Sequence, residues 1–351
     1  MNNHRLLAVL FAGCTALPLV AQQGTATYQL VFLSTWSQAT HPVQFPSNAH
    51  FSPLVGATHV AATSFWQPGT LASPGIKNMA ERGMTAPLSS EVQAAITAGQ
   101  AQQVLLYGAL GTSPGTQTIT FTVAAEFPML TLVTMLAPSP DWFVGVHGLP
   151  LFSNGDWIDN IVVPLQVYDA GTDSGISYAS PDLVTSPPQP VSPVTTASGP
   201  FLGLPGPVGT FTLQRLHGTA VYGCGNPAGS LTVSGDARIG QTLNLDLHDP
   251  SGLLPTPAVS AIALSASPAV GFPCGISLPG LGLGLSGQPG EVLLQSIDAL
   301  VVGPLWNGAP VTTPLSIPLQ PSLVGQRFFV QGLLASDRVG VTRAVAMRIG
   351  S

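Results

Sequence analysis

Charge is what this sequence has least of. Only 7% of its 351 residues are Asp, Glu, Lys or Arg, and the nine basic ones are scattered. With no basic stripe to neutralise phosphates, nucleic acid is excluded as a partner and anionic lipid exerts no pull. Cysteine is nearly absent too: three residues and no Cys-x-x-Cys pair, so zinc-ribbon and thioredoxin-like chemistry find no support. Past the N-terminus, no apolar run reaches the ~18 residues that a spanning helix requires, so no transmembrane helix is expected. What abounds is Gly (39) and Pro (34) amid 45% hydrophobic residues. Short apolar segments cut by turn formers describe many short strands, hence an all-β protein built of sandwiches. At ~100–200 residues per domain, the length suggests two of them.

The first 21 residues read as a signal peptide, with His4 and Arg5 ahead of an apolar core and Ala21 at its end. The product is expected to be secreted or held at the cell surface, with the periplasm or an outer-membrane attachment as variants. Phe11-Ala12-Gly13-Cys14 resembles a bacterial lipobox, which keeps a lipid anchor at Cys14 open as the minority reading. Either way Cys224 and Cys274 remain, and in an oxidising compartment such a pair is expected to form a disulfide.

Along the chain, residues 28–32, 104–107, 118–123, 130–136, 161–167 and 210–216 read as strands, and Pro164 marks its segment as kinked or at an edge. Two short helices are expected at 75–82, capped by Ser73 with Pro74 behind it, and at 91–97, capped by Ser89 or Ser90. The stretch 41–53, with three prolines, reads as an irregular connection. After a boundary at 217–222 come strands at 230–233, 242–247, 258–264, 291–297, 315–319, 328–334 and 344–349, enough for a second small β-sandwich.

Two apparent catalytic motifs fail on physics. Gly111-Thr112-Ser113-Pro114-Gly115 has the letters of a nucleophile elbow, but Pro114 has no N–H for an oxyanion hole. The glycine fingerprint at 282–287 is followed by Gln288-Pro289-Gly290 where a helix should begin. His41, His50, His59 and His147 lack the i, i+4 spacing of a helical metal site. His41 and His59 are read as structural. No nucleophile–base pair emerges, so no enzyme is expected.

The scarce carboxylates are concentrated instead. Asp141 sits in Pro138-Ser139-Pro140-Asp141-Trp142, and Asp169 and Asp173 in Asp169-Ala170-Gly171-Thr172-Asp173-Ser174-Gly175. These runs, with Trp36-Ser37, Thr40-His41-Pro42, Phe45-Pro46, Phe51-Ser52-Pro53-Leu54-Val55-Gly56-Ala57-Thr58-His59 and Met79-Ala80-Glu81-Arg82-Gly83, occur in an order that resembles the spondin domain family. The resemblance covers residues 28–216. It implies a C2-like antiparallel β-sandwich over residues 24–217 and a Ca²⁺ site whose acidic ligands are Asp141, Asp169 and Asp173. It also implies a non-catalytic role in adhesion or binding of a cell-surface or matrix ligand, protein or glycan. Residues 222–351 would be a β-rich module that resembles the C-terminal module of some secreted bacterial proteins. A structural component of the envelope or matrix is the alternative reading, and an extracellular hydrolase a more distant one. Asp156 and Asp159 read as ordinary turn residues.

Overall fold

The computed structural model describes residues 24–194, 199–203, 206–277, 292–337 and 339–351. The signal-peptide reading, the lipobox at Cys14 and the fingerprint at 282–287 lie outside them. The strands of the N-terminal part are β1 (Thr25–Ser34), β2 (His50–His59), β3 (Ala101–Leu110), β4 (Gly115–Ala124), β5 (Met129–Ala137) and β6 (Trp142–Pro150). Next come the short β7 (Phe152–Ser153) and β8 (Asp156–Trp157), β9 (Asn160–Leu165), β10 (Tyr168–Asp169), β11 (Ser192–Pro193) and the long β12 (Gly209–Tyr222). The C-terminal part contributes β13 (Leu231–Ser234), β14 (Thr242–Leu247), β15 (Ala258–Ser265), β16 (Ile276–Ser277), β17 (Val292–Leu293), β18 (Ala299–Trp306), β19 (Val311–Ser316), β20 (Arg327–Ala335) and β21 (Val339–Arg348). Helices α1 (Pro74–Arg82) and α2 (Ala86–Thr97) lie between β2 and β3.

The protein is mostly β, as expected, and its strand pairs are antiparallel. One sheet runs β18-β15-β20-β21-β12-β1-β4, with β9 also on β12. A second runs β11-β10-β6-β5-β2-β3. The alternation in β1 and β4 buries Tyr28, Leu30, Phe32, Ile119 and Phe121, which meet Leu105, Leu130, Leu132 and Val144 of the facing sheet in one core. On the other face of that second sheet, Val55, Val133 and Phe143 receive Ile76 and Met79 of α1 and Leu88 of α2. In the C-terminal half, β13-β14-β19 packs Leu231, Leu243 and Leu245 onto Ile262, Val330 and Val345 of the long sheet, which is the second small sandwich.

Several local expectations shift. Ser73 caps α1, its Oγ accepting the N–H of Ile76 at 3.2 Å. Helix α2, however, starts at Ala86 with Pro87 in its first turn rather than at Glu91. Ser90 lies inside it, its hydroxyl donating back to Ala86 O. The supposed irregular connection ends four residues earlier than expected, because β2 begins at His50 and accommodates Pro53 between register shifts in its pairing with β3. Pro164 does stand in a strand with one partner, β9 on β12.

The expected boundary at 217–222 falls inside β12. One edge of this strand pairs with β1 from Gly209 to Gly218. The other edge pairs with β9 from Gly209 to Gln214, then with β21 from Gly218 to Tyr222. The core changes over within the same strand: Ala220 belongs to the N-terminal cluster and Val221 to the C-terminal one. Where β9 hands over to β21, the inward-facing side chain is Arg215, 2% exposed. Its guanidinium donates to Asp156 Oδ1 (2.9 Å) and Asp159 Oδ1 (2.7 Å). Asp156 also accepts from Arg327, and Asp159 lies 3.6 Å from Arg348. Asp156 and Asp159 are thus not plain turn residues. They tie the last strands of the C-terminal half to Arg215.

Just past the end of β12, Cys224 is joined to Cys274 in a disulfide, the pairing expected from the sequence.

A candidate calcium site at the loop end of the sandwich

The antiparallel registers bring the C-terminal ends of β1, β3, β5 and β9 and the N-terminal ends of β2, β4, β6 and β12 to the same end of the sandwich. Both acidic runs lie there. Asp141 closes the turn after β5, where Ser139 Oγ accepts the N–H of Trp142 at 3.1 Å. Fully buried, it holds the second run: its Oδ2 accepts the N–H groups of Thr172 (2.7 Å) and Asp173 (3.0 Å) and the Thr172 hydroxyl (3.3 Å). Asp169 stands opposite Trp142 in the β6–β10 register. Its Oδ1 accepts the N–H of Gly171 and its Oδ2 the indole N–H of Trp142. Gly171 is required here, because at φ +73° a Cβ would lie 2.1 Å from Gln189 O.

Asp173 does something different. Its Oδ1 accepts the N–H of Gly175 at 2.7 Å and its Oδ2 that of Leu183 at 3.0 Å. Both oxygens shape the loop. Among the described residues, no three His, Cys, Asp or Glu side chains form a ready metal cage. The three aspartates are nonetheless electrostatic neighbours: the charge of Asp169 raises the pKa of Asp141, and that of Asp173 raises the pKa of Asp169.

The feature that fits a cation is one atom. Asp141 Oδ1 is buried and has no hydrogen-bond partner. A desolvated carboxylate oxygen without a donor is costly unless a proton or a metal answers it. Burial first, and the Asp169 charge second, push the Asp141 carboxyl up to about 6, against the N–H groups of Thr172 and Asp173, which hold it down. Asp169 is also raised, chiefly by burial. Hard carboxylate oxygens on loops suit Ca²⁺, and Asp141 Oδ1 with Asp169 would be its anchors. Asp169 also lines a cleft of about 200 Å³ with Trp142, Gly175, Ile176 and Phe201. Solvent or a ligand oxygen could approach the ion from there.

The titration has a sign that can be measured. The folded pKa of Asp141 lies above the ordinary 3.8, so between 3.8 and about 6 the folded chain binds more protons there than the unfolded chain. Stability from this group is therefore full below 3.8 and lost as pH rises through about 6. The amount is about 2–3 kcal/mol at ~1.4 kcal/mol per pKa unit. His41, His59, His147 and His217 are lowered by burial and act in the opposite sense. We therefore expect the trend in the difference between wild type and Asp141→Asn, measured by urea unfolding in chelator. From pH 5 to 7 the wild type should lose stability relative to the variant. A flat difference would contradict the burial of this carboxylate.

The remaining candidates resolve as structure. His59 Nδ1 donates to Val60 O, and its Nε2 accepts from the Thr131 hydroxyl. All five tryptophans are buried. Ser113 lies in the β3–β4 loop and donates to Trp36 O at 2.7 Å. What the sequence did not single out is the aromatic packing beneath the loops. Trp142 meets Tyr178 and Phe201, and Tyr178 meets Trp36 and accepts its indole N–H.

Comparison with known proteins matches the Spondin_N family to residues 26–201. Spondin-2 of Rattus norvegicus is 34% identical over 189 residues, 53% of this chain and 56% of that protein. Human spondin-2 is 32% identical over 212 residues, 57% and 64% of the two chains. Spondin-1 of Gallus gallus is 35% identical over 188 residues, 50% of this chain and 23% of that one. The chain therefore spans between about a quarter and under two thirds of these relatives.

Proposed function

This chain belongs to the Spondin_N family, and from that membership we propose that it is an extracellular, calcium-binding, non-catalytic protein that presents the loop end of its sandwich to a cell-surface or matrix ligand. Residues 24–217 form the spondin unit of this reading and residues 222–351 an accessory β-module grafted onto its long sheet.

The observation that carries the metal is the unpartnered, buried Asp141 Oδ1. Bound Ca²⁺ supplies positive charge where carboxylates otherwise repel. Asp141 Oδ1 and Asp169 would hold it. Asp173 orders the loop that brings backbone and carboxylate into place, with an additional ligating role through its remaining lone pairs. Asp141 would then grip the 169–175 loop through Oδ2 and the ion through Oδ1. An extracellular setting agrees with the disulfide. No described helix is long and apolar enough to cross a membrane.

The experiment is thermal unfolding with saturating Ca²⁺ and with chelator. At 100 times its Kd, an ion bound only to the folded state adds about 2.7 kcal/mol, a Tm rise on the order of 5 °C. Asp169→Ala should abolish the rise. Asp141→Asn should abolish it too, yet be more stable than wild type in chelator at pH 7, since Asn still accepts the two N–H groups without the buried charge. Identical wild-type melting in both buffers would overturn the metal assignment.

A further inference from the structure

At the handover from β9 to β21 lies a second cleft, of about 390 Å³, beside the middle of β12 and away from the aspartates near its Gly209 end. Three of the nine basic residues of this chain line it, Arg215, Arg238 and Arg348, with His217, Thr27 and Thr120. No Asp or Glu is among its lining residues. In a chain of net charge −6, three arginines in one cavity wall depart from its overall sign.

Two of these arginines are incompletely answered. Arg238 reaches only the exposed Asp236, at 3.3 Å, and Arg348 stands 3.6 Å from Asp159, whose other oxygen Arg215 already holds. The Nε–H groups of both are buried and have no acceptor. Guanidinium donors left without partners cost free energy, and each fork is shaped for paired oxygens of one group. Water in the cleft would meet the exposed edges of the two guanidinium groups without answering their charge.

We propose that this cleft is a binding site for an oxyanion group, a sulfate, phosphate or carboxylate carried by a ligand, held by Arg238 and Arg348 with the Thr27 and Thr120 hydroxyls at its edge. The site is independent of the calcium reading. It lies between the two halves, so an anion bound there contacts the C-terminal half through Arg238 and Arg348 and the N-terminal sheet through β1 and β4. Its occupancy would tighten the junction that Arg215 organises.

The test uses the full chain with sodium sulfate as the probe, titrated against sodium chloride at constant ionic strength and followed by calorimetric binding and by Tm. Saturable binding is expected, with a Tm rise that chloride does not give. Arg238→Gln should weaken it about tenfold or more, as loss of a charge-assisted donor does, while the calcium response stays unchanged. Arg238→Lys keeps the charge and loses the fork, and should fall between. Repeating the titration with acetate separates a planar from a tetrahedral preference. A sulfate effect that is linear and the same in Arg238→Gln would be general exclusion from the surface and would overturn the site. Should that variant fail to fold, selenate soaked into crystals of the wild type decides: anomalous density between Arg238 and Arg348 supports the proposal, and its absence at saturating selenate overturns it.

Discussion

Arg215→Met is expected to destabilise the protein by about 3–5 kcal/mol, the usual effect of stripping one partner from a buried ion cluster. The guanidinium is 2% exposed and balances Asp156, itself 7% exposed, and Asp159. Methionine fills the volume but leaves two carboxylates facing inward, with Arg327 and Arg348 reaching them only from the rim. The damage should extend beyond the global stability. Arg215 stands where β9 ends and β21 begins, so its loss should uncouple the two cores, and fluorescence and calorimetric transitions that coincide in wild type should separate. Adding Asp156→Asn and Asp159→Asn to Arg215→Met should recover part of the loss, because removing the whole charge cluster is gentler than orphaning two of its members. A loss below about 1 kcal/mol for the single variant would mean that water, rather than the arginine, answers these carboxylates.

The second large effect is expected from Cys224→Ser/Cys274→Ser. The bridge closes a loop with a sequence separation of 50. On the chain-entropy account, opening it releases about 4 kcal/mol of denatured-state freedom, a fall in Tm on the order of 10 °C. The bond anchors the stretch after β15 to the end of β12, beside Tyr222, Phe272 and Leu294. The loss should therefore be concentrated in the C-terminal half. Calorimetry of the double variant beside the oxidised protein checks this, and melting within about 2 °C of wild type would show that the surrounding packing holds this region without the bridge.

How much of this was legible depended on range. β4 could be read because Thr118 to Val123 alternates, and burial in the structure alternates in step. β2 could not, since Pro53 in a strand with neighbours on both sides contradicts the usual rule, and only the register shifts around it reconcile the two. Ser89 and Ser90 looked like caps when Pro87 was the better signal of where the turn begins. The aspartates at 141, 169 and 173 were visible as motifs, and the structure brings their runs together. That Asp141 has one oxygen without a hydrogen bond, whereas both oxygens of Asp169 and of Asp173 already accept one, is information only the folded loops hold. Asp156 and Asp159 passed for turn residues because the partner that gives them meaning, Arg215, is 59 and 56 positions away.

β12 gives the molecule a mechanical character. Its 14 residues, at ~3.3 Å each, span ~45 Å, from the loop end at Gly209 to the C-terminal core at Tyr222. A pull between the two ends travels along one extended backbone, braced in shear by strands on both edges. There is no slack tether between the halves to be drawn out first. The protein is in this sense a strut: its loop end is held at a fixed distance and orientation from its C-terminal core.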